Sequence, residues 1–233
     1  MIPWRRMVHD TAYRLCARAI RGALRVPPLA SGVGLLARVW LRYAKTLSLL
    51  RGLRFDGVVD GGANVGEFAH LVRLALPGAD LVCVEPHPGC VPVLRREGFR
   101  VVEAALWREE GRLTLRQPSS ASTSSSVVST ADDHGTWSVR ATRLDAIDVR
   151  GDRVLVKLDL QGAEPDALDG MDGLWPRCAA LLLEVSIGAG GTYEPLRARL
   201  AGRGYREYAT LNELEVDGRV VEADKVWLRD DLW

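Results

Sequence analysis

The 233-residue sequence predicts an α/β fold on a mostly parallel sheet that turns antiparallel toward the C-terminus. Three features predict it. Val58 and Val59 run into Asp60, a glycine loop and then a helical pattern, which makes one strand, loop and helix unit. "RVLVKLDLQGAE" (Arg153 to Glu164) and "CAALLLEVS" (Cys178 to Ser186) are nearly continuous apolar runs, as strands covered on both faces are. Near the end, "YREYATL" and "KVWLRD" bracket the turn-rich "NELEVDGRVVEAD", which favours antiparallel pairing.

The elements follow in order. Residues 1–54 carry eleven Lys and Arg against one acid, Asp10, a net +10, whereas the remainder carries −9. Arg14, Arg18, Arg21 and Arg25 share one helical face, opposite Val8, Ala12, Leu15, Ala19 and Ala23. Arg38, Arg42 and Lys45 repeat the pattern against Leu36, Val39, Trp40, Tyr43 and Leu47, and Pro27-Pro28 separates the two helices. The expected organisation is therefore an amphipathic helical cap over 1–54 and one α/β domain over 55–233. Two readings of the cap stand side by side. Its arginines are solvated while its apolar faces cover the core, or they contact an anionic membrane surface or a lipid-linked acidic substrate. Nucleic acid is not expected, because no aromatic stacking motif accompanies the charge.

Beyond the glycine loop, Phe68, Leu71, Val72, Ala75 and Leu76 recur at helical spacing until Pro77 and Gly78. "DLVCVEP" (Asp80 to Pro86) reads as a second strand, Val91 to Glu97 as a short helix, and "FRVVEAAL" (Phe99 to Leu106) as a third strand. An insertion follows, with "RLTLRQ" and "WSVRATRL" flanking the serine-rich "SSASTSSSVVSTADDHG"; it is expected to form a hairpin or edge with a mobile loop. Cys16, Cys83, Cys90 and Cys178 are scattered without a CxxC pair, so neither a disulfide framework nor a zinc site is indicated, and a reducing cytoplasm fits. No apolar run reaches about 18 residues, and no signal peptide is read. The expected location is cytoplasmic, peripheral at a membrane if the basic helices bind one.

The glycine loop admits two frames. Gly61, Ala63 and Gly66 form GxAxxG, a weak dinucleotide match that would make the chain a nicotinamide-dependent oxidoreductase. Asp60, Gly62 and Gly66 form DxGxxxG, the pattern of class I S-adenosylmethionine-dependent methyltransferases. Glu85 favours the second frame, since it ends the second strand, where a carboxylate can accept both ribose hydroxyls. A third class is a noncatalytic membrane-associated binding module.

"VVDGGANVGEFA", "CVEPHP", "AALWREEGRLTL", "VKLDLQGAEPDALDG", "LLLEVS" and "DKVWLR" appear in that order, and together they resemble the FkbM family of methyltransferases. The resemblance covers about Phe55 to Asp230. It implies a Rossmann-like class I methyltransferase fold with a mostly parallel seven-stranded sheet and an antiparallel C-terminal edge strand. It also implies S-adenosylmethionine as cofactor and methyl transfer to oxygen, often a hydroxyl of a sugar, glycolipid or secondary metabolite, with N-methylation as the alternative. On this reading Asp60, Gly61, Gly62, Ala63, Asn64 and Gly66 surround the donor's amino-acid part and ribose. Glu85 takes the ribose hydroxyls, and Pro86, Ala105 and Leu106 lie by the adenine.

Methyl transfer is an in-line displacement, so the enzyme aligns the nucleophile and removes its proton. Lys157, Asp159 and Gln161 alternate along one side of a strand or its end, and Glu164 follows in the first turn of a helix. Asp159 is expected near the donor as base or orienter, with Lys157 tuning it and Glu164 or Glu184 on acceptor hydroxyls. A purely structural Lys, Asp and Glu network is the other reading. His134 in the polar insertion is a further candidate base, and His87 is a residue of the cofactor pocket or a base. Asp159, Glu164 and Glu184 as a Mg²⁺ site have no spacing to support them, so no metal is assigned.

Overall fold

In the computed structural model of the chain, residues 44–116, 126–127 and 136–232 are described. They fall in one unit, Ala44–Trp233. The arginine faces expected in the cap lie at residues 5–42 and so outside the described residues. What is described of the 1–54 segment is a helix, α1 (44–53), which buries Leu49 and Leu50. Arg153 ties its end to the domain by donating to Leu53 O (2.9 Å) and Arg54 O (3.2 Å).

The opening unit forms as its sequence predicts. Strand β1 (Gly57–Gly61) is buried throughout, the glycine loop follows, and α2 (Glu67–Ala75) stops two residues before Pro77, with Leu76 at its C-cap. Strand β2 (Asp80–Val84) pairs parallel with β1, and the short α3 (Val91–Arg96) leads to β3 (Arg100–Val102), parallel to β2. The expected third strand is in fact two. Its second part, β4 (Ala105–Leu106), leaves the parallel sheet and pairs with a later strand. The reason lies in the partner: β2 ends at Val84, opposite Val102, and Glu85 N–H donates to Val102 O, so nothing remains for a longer β3 to pair with.

The insertion builds a second sheet. Strands β5 (Gly111–Arg116), β6 (Ser126–Val127) and β7 (Thr136–Thr142) join β4 in the order β4-β7-β5-β6, with β5 and β7 antiparallel. Most of the serine-rich stretch, including His134, lies outside the described residues.

Strand β8 (Val154–Leu158) then returns beside β1, α4 (Glu164–Asp169) follows it, and β9 (Cys178–Ser186) pairs parallel with β8. After α5 (Tyr193–Ala201), the strands β10 (Tyr205–Val216) and β11 (Arg219–Arg229) form a hairpin, with Asp217 (φ 51°) and Gly218 (φ 73°) at its tip. Two successive positive φ values twist such a turn to match its strands. The seven-stranded sheet runs β10-β11-β9-β8-β1-β2-β3. β11 alone runs against the other six strands, so the antiparallel edge is a hairpin whose last strand sits inside β10.

Alternation along the strands explains the layers. Val59, Val82, Val156 and Leu181 point to one face and join Leu168 of α4 and Leu196 and Leu200 of α5 in the main core. Cys83 points to the opposite face and packs with Ala69 of α2 and Leu94 of α3. No helix among the described residues is long and apolar enough to cross a membrane.

Candidate active site

The site forms at the carboxyl ends of β1, β2, β8 and β9, where the strands stop and loops begin. Open α/β sheets bind ligands at this edge. Asp60 and Lys157 are opposite each other in the register of β1 and β8, so their side chains leave the sheet on the same face. Both are almost fully covered. Lys157 Nζ donates to Gly61 O (3.2 Å) and Gly62 O (3.0 Å), lies 3.3 Å from Asp60 Oδ1, and reaches within 3.6 Å of Asp159 Oδ2. Burial alone would push the Lys157 ammonium down, but Asp60 and Asp159 more than reverse this, and its net shift is upward. Burial pushes the Asp60 carboxyl up, and Lys157 opposes that shift. Four surrounding oxygens make the cationic lysine the dominant form of the pair. Lys157 thus clamps the glycine loop by two carbonyls rather than merely facing a ligand.

The loop needs its glycines for geometric reasons. At Gly62 (φ 69°) a Cβ would stand 2.0 Å from Asp159 O, so the loop approaches β8 too closely for any side chain there. Gly66 sits at φ 93° immediately before α2, a left-handed region that favours glycine. Asn64 also adopts positive φ (50°), which asparagine tolerates better than most residues. Its backbone N–H donates to Glu85 Oε2 (2.7 Å), while His87 N–H donates to Glu85 Oε1 (2.8 Å). Glu85 is 5% exposed; burial raises its carboxyl and the two N–H donors counter the rise. Each oxygen keeps a second lone pair, so the carboxylate is oriented without being exhausted. Ala63 is buried, and Pro86 is half-buried between Glu85 and His87.

The residues expected beside adenine separate. Leu106 packs in the main core and against Gly61, where a Cβ would meet its Cδ1 at 2.7 Å. Ala105 instead joins Leu115 and Val139 on the second sheet, with Trp137 against them.

At the ends of β8 and β9 the structure brings Asp159 and Glu184 together through a residue not among the expected site residues. Gln161 Nε2 donates to Asp159 Oδ1 (3.1 Å) and to Glu184 Oε2 (2.8 Å). Its signal was its place between Asp159 and Gly162, two residues on, and it takes φ 56° with Gly162 at 97°. The Glu184 carboxyl is raised to about 9, by burial first and then by the charges of Asp159 and Glu222. Asp224 pairs with Glu184 in the register of β9 and β11 and accepts from Asn212. Glu164 does not join this row. It is 1% exposed, and its Oε1 accepts from Leu160 N–H (2.7 Å) and Gly162 N–H (3.4 Å), so it ties down the loop that carries Asp159 and Gln161.

The Methyltransferase FkbM domain matches residues 60–207, well over half of the chain and every segment described above from Asp60 into β10. The chain belongs to the FkbM methyltransferase family. It is an S-adenosylmethionine-dependent methyltransferase, and the oxidoreductase frame of the glycine loop is set aside. No curated protein matches the sequence. Among solved structures, the chain is similar to a precorrin-6y C5,15-methyltransferase from Geobacter metallireducens, at 15% identity over 80% of this chain and 84% of that one, with a TM-score of 0.41. It is also similar to a 1,6-didemethyltoxoflavin-N1-methyltransferase from Burkholderia thailandensis with bound 1,6-didemethyltoxoflavin and S-adenosylhomocysteine, at 13% identity over 88% and 92% of the two chains and a TM-score of 0.45. A third is a putative S-adenosylmethionine-dependent methyltransferase from Listeria monocytogenes, at 10% identity over 81% and 98% and a TM-score of 0.47.

The FkbM site suits this donor. An oriented, covered carboxylate at the end of β2 is chemically matched to a ribose diol.

Proposed function

We propose that the enzyme methylates a hydroxyl oxygen of a sugar, glycolipid or secondary metabolite, with Asp159 as base or orienter. The observation that carries this reading is the Asp159, Gln161 and Glu184 bridge at the carboxyl edge, next to the Lys157-clamped loop. A hydroxyl nucleophile has a proton to give, which Asp159 can accept, while Glu184, with its carboxyl raised to about 9, can share a hydrogen bond with a neighbouring hydroxyl. When bound, S-adenosylmethionine supplies an electrophilic sulfonium methyl. The chain's own residues do the rest. Gly61, Gly62, Ala63, Asn64 and Gly66 surround the donor's amino-acid part, with Asp60 behind them holding Lys157, and Glu85 takes the ribose hydroxyls. Asp159 aligns the acceptor oxygen and withdraws its proton as the methyl transfers. Lys157 supplies the counter-charge, Glu184 contacts the acceptor, and Glu164 acts through the loop as a positioning residue. His134 is the rival base. The basic residues of the 1–54 segment fit an amphiphilic or anionic acceptor.

The test incubates the full chain with methyl-labelled S-adenosylmethionine and fractions of polar lipids, oligosaccharides and small metabolites. A labelled methyl ether is the expected product, and a methylamine would overturn oxygen transfer. With the acceptor in hand, Asp159→Asn keeps the shape but not the base. Turnover is expected to fall roughly 10²-fold or more while S-adenosylhomocysteine binding survives. Undiminished turnover would remove Asp159 from the chemistry.

A further inference from the structure

We propose that the outward face of the second sheet docks on a membrane leaflet bearing anionic phospholipids, with Arg112 and Arg140 on the lipid phosphates. The face follows from alternation. Leu113, Leu115, Trp137 and Val139 share the inner side with Ala105 in an apolar cluster, so the residues between them in β5 and β7 turn outward. Register sets Arg112 opposite Arg140, Thr114 opposite Ser138 and Arg116 opposite Thr136, and Ser126 of β6 comes beside Arg116. Arg112, Ser138 and Arg140 are exposed, while Thr114, Arg116 and Thr136 are half-buried. Every outward residue from Arg112 to Arg116 and from Thr136 to Arg140 is therefore an arginine, a serine or a threonine.

Like charges directly opposite each other destabilise a sheet, and this pair has no carboxylate to offset the repulsion. Among the described residues Arg112 donates to Ser138 Oγ (2.9 Å) and Ser138 O (3.4 Å), and neither Arg112 nor Arg140 is ion-paired. Arginines just off the face are treated differently, since Arg108 pairs with Asp166 and Arg143 with Asp145 (2.7 Å). Glu110, at the end of the face, already accepts from Thr142 Oγ1 (2.6 Å) and Arg143 N–H (3.1 Å). Phosphate oxygens over Arg112 and Arg140 remove the repulsion, and guanidinium groups bind phosphate well. A leaflet offers its phosphates in a plane, which a sheet face can meet at several points together. Nucleic acid fits less well, because no aromatic side chain stands on this face to stack a base. None of these residues belongs to the carboxyl edge, so the face holds the domain at a bilayer and takes no part in the chemistry.

The proposal is tested on the full chain by sedimentation with vesicles of phosphatidylcholine alone and of phosphatidylcholine mixed with phosphatidylglycerol. Because the basic residues of 1–54 can bind the same vesicles, the comparison is made in a chain whose Arg14, Arg18, Arg21 and Arg25 are already Gln. That chain is expected to keep a preference for the phosphatidylglycerol vesicles. Adding Arg112→Gln and Arg140→Gln is expected to weaken its partitioning onto them roughly 10- to 30-fold at low salt, and by much less at high salt. Arg112→Lys with Arg140→Lys keeps the charge and is expected to keep most of the binding. No preference to begin with, unchanged partitioning of R112Q/R140Q, or a lysine variant as weak as the glutamine variant would each overturn the proposal. So would polyuridylate RNA that strips the protein from the vesicles and depends more strongly on the two arginines, since it would assign the face to nucleic acid. Thermal melting checks that the variants fold. Should R112Q/R140Q melt early, Arg140→Gln alone decides at roughly fivefold, because Arg140 makes no side-chain hydrogen bond among the described residues.

Discussion

Gln161 shows how a single amide can organise two acids. Both protons of its Nε2 point at carboxylates, Asp159 and Glu184, and a left-handed backbone at φ 56° puts the amide there. That conformation costs a non-glycine residue about 1 to 2 kcal/mol, so the surrounding loop must hold it, and Glu164 does so through Leu160 and Gly162. The crowding of acids has a consequence for pH. The Glu184 carboxyl is raised to about 9 in the folded protein, above its ordinary 4.5. A carboxyl raised on folding binds more protons in the native than in the unfolded state between those two values. Its contribution to stability is therefore full below about pH 4.5 and is lost as pH rises through about 9. Glu184→Gln removes the titration. Its melting temperature is expected to gain on the wild type steadily from pH 5 to pH 9, measured by thermal unfolding across that range. A constant difference would show that Glu184 is ionised throughout.

The glycine loop and strand β8 act as one element, joined by Lys157. Its two bonds to Gly61 O and Gly62 O fix the loop against the strand, and Asp60 supplies the charge that makes a buried ammonium tolerable. Such a pair is costly to break from one side, because the remaining charge is left covered and uncompensated. Lys157→Met is expected to destabilise the protein by about 3 to 5 kcal/mol in urea unfolding. Adding Asp60→Asn should recover a large part of that loss in a double-mutant cycle. Additive losses would mean that the two side chains do not depend on each other. The second sheet is the other element that matters here. It begins because β3 runs out of partner at Val84, and it takes Ala105 into its own small apolar cluster with Leu115 and Val139, while Leu106 stays in the main core.

Charge is divided along the chain, +10 over residues 1–54 and −9 over the rest. A basic amphipathic segment joined to a catalytic domain with an acidic carboxyl edge suits an acceptor that is brought from an anionic surface. Replacing Arg14, Arg18, Arg21 and Arg25 together with Gln preserves helix propensity. Sedimentation with anionic vesicles is expected to show weaker attachment of this variant at low salt, with the difference fading as salt screens the charges. Calorimetry should find its S-adenosylhomocysteine affinity unchanged. Equal sedimentation at low salt would leave the arginines as a solvated face.

Local chemistry made the fold legible in the sequence. Gly62 and Gly66 require positive φ, β1, β8 and β9 are apolar enough to be buried on both faces, and Asp217-Gly218 specifies its own turn. These features depend on neighbours in the chain, so a sequence displays them. The roles of individual polar groups depend on distant partners and had to wait for the tertiary structure. Glu164 and Glu184 look alike in sequence, yet one is enclosed by the N–H groups of its own loop and the other faces Asp159 and Glu222 across strands. Trp137 is separated from His87 by 50 positions, and only the tertiary structure sets the edge of one ring against the other.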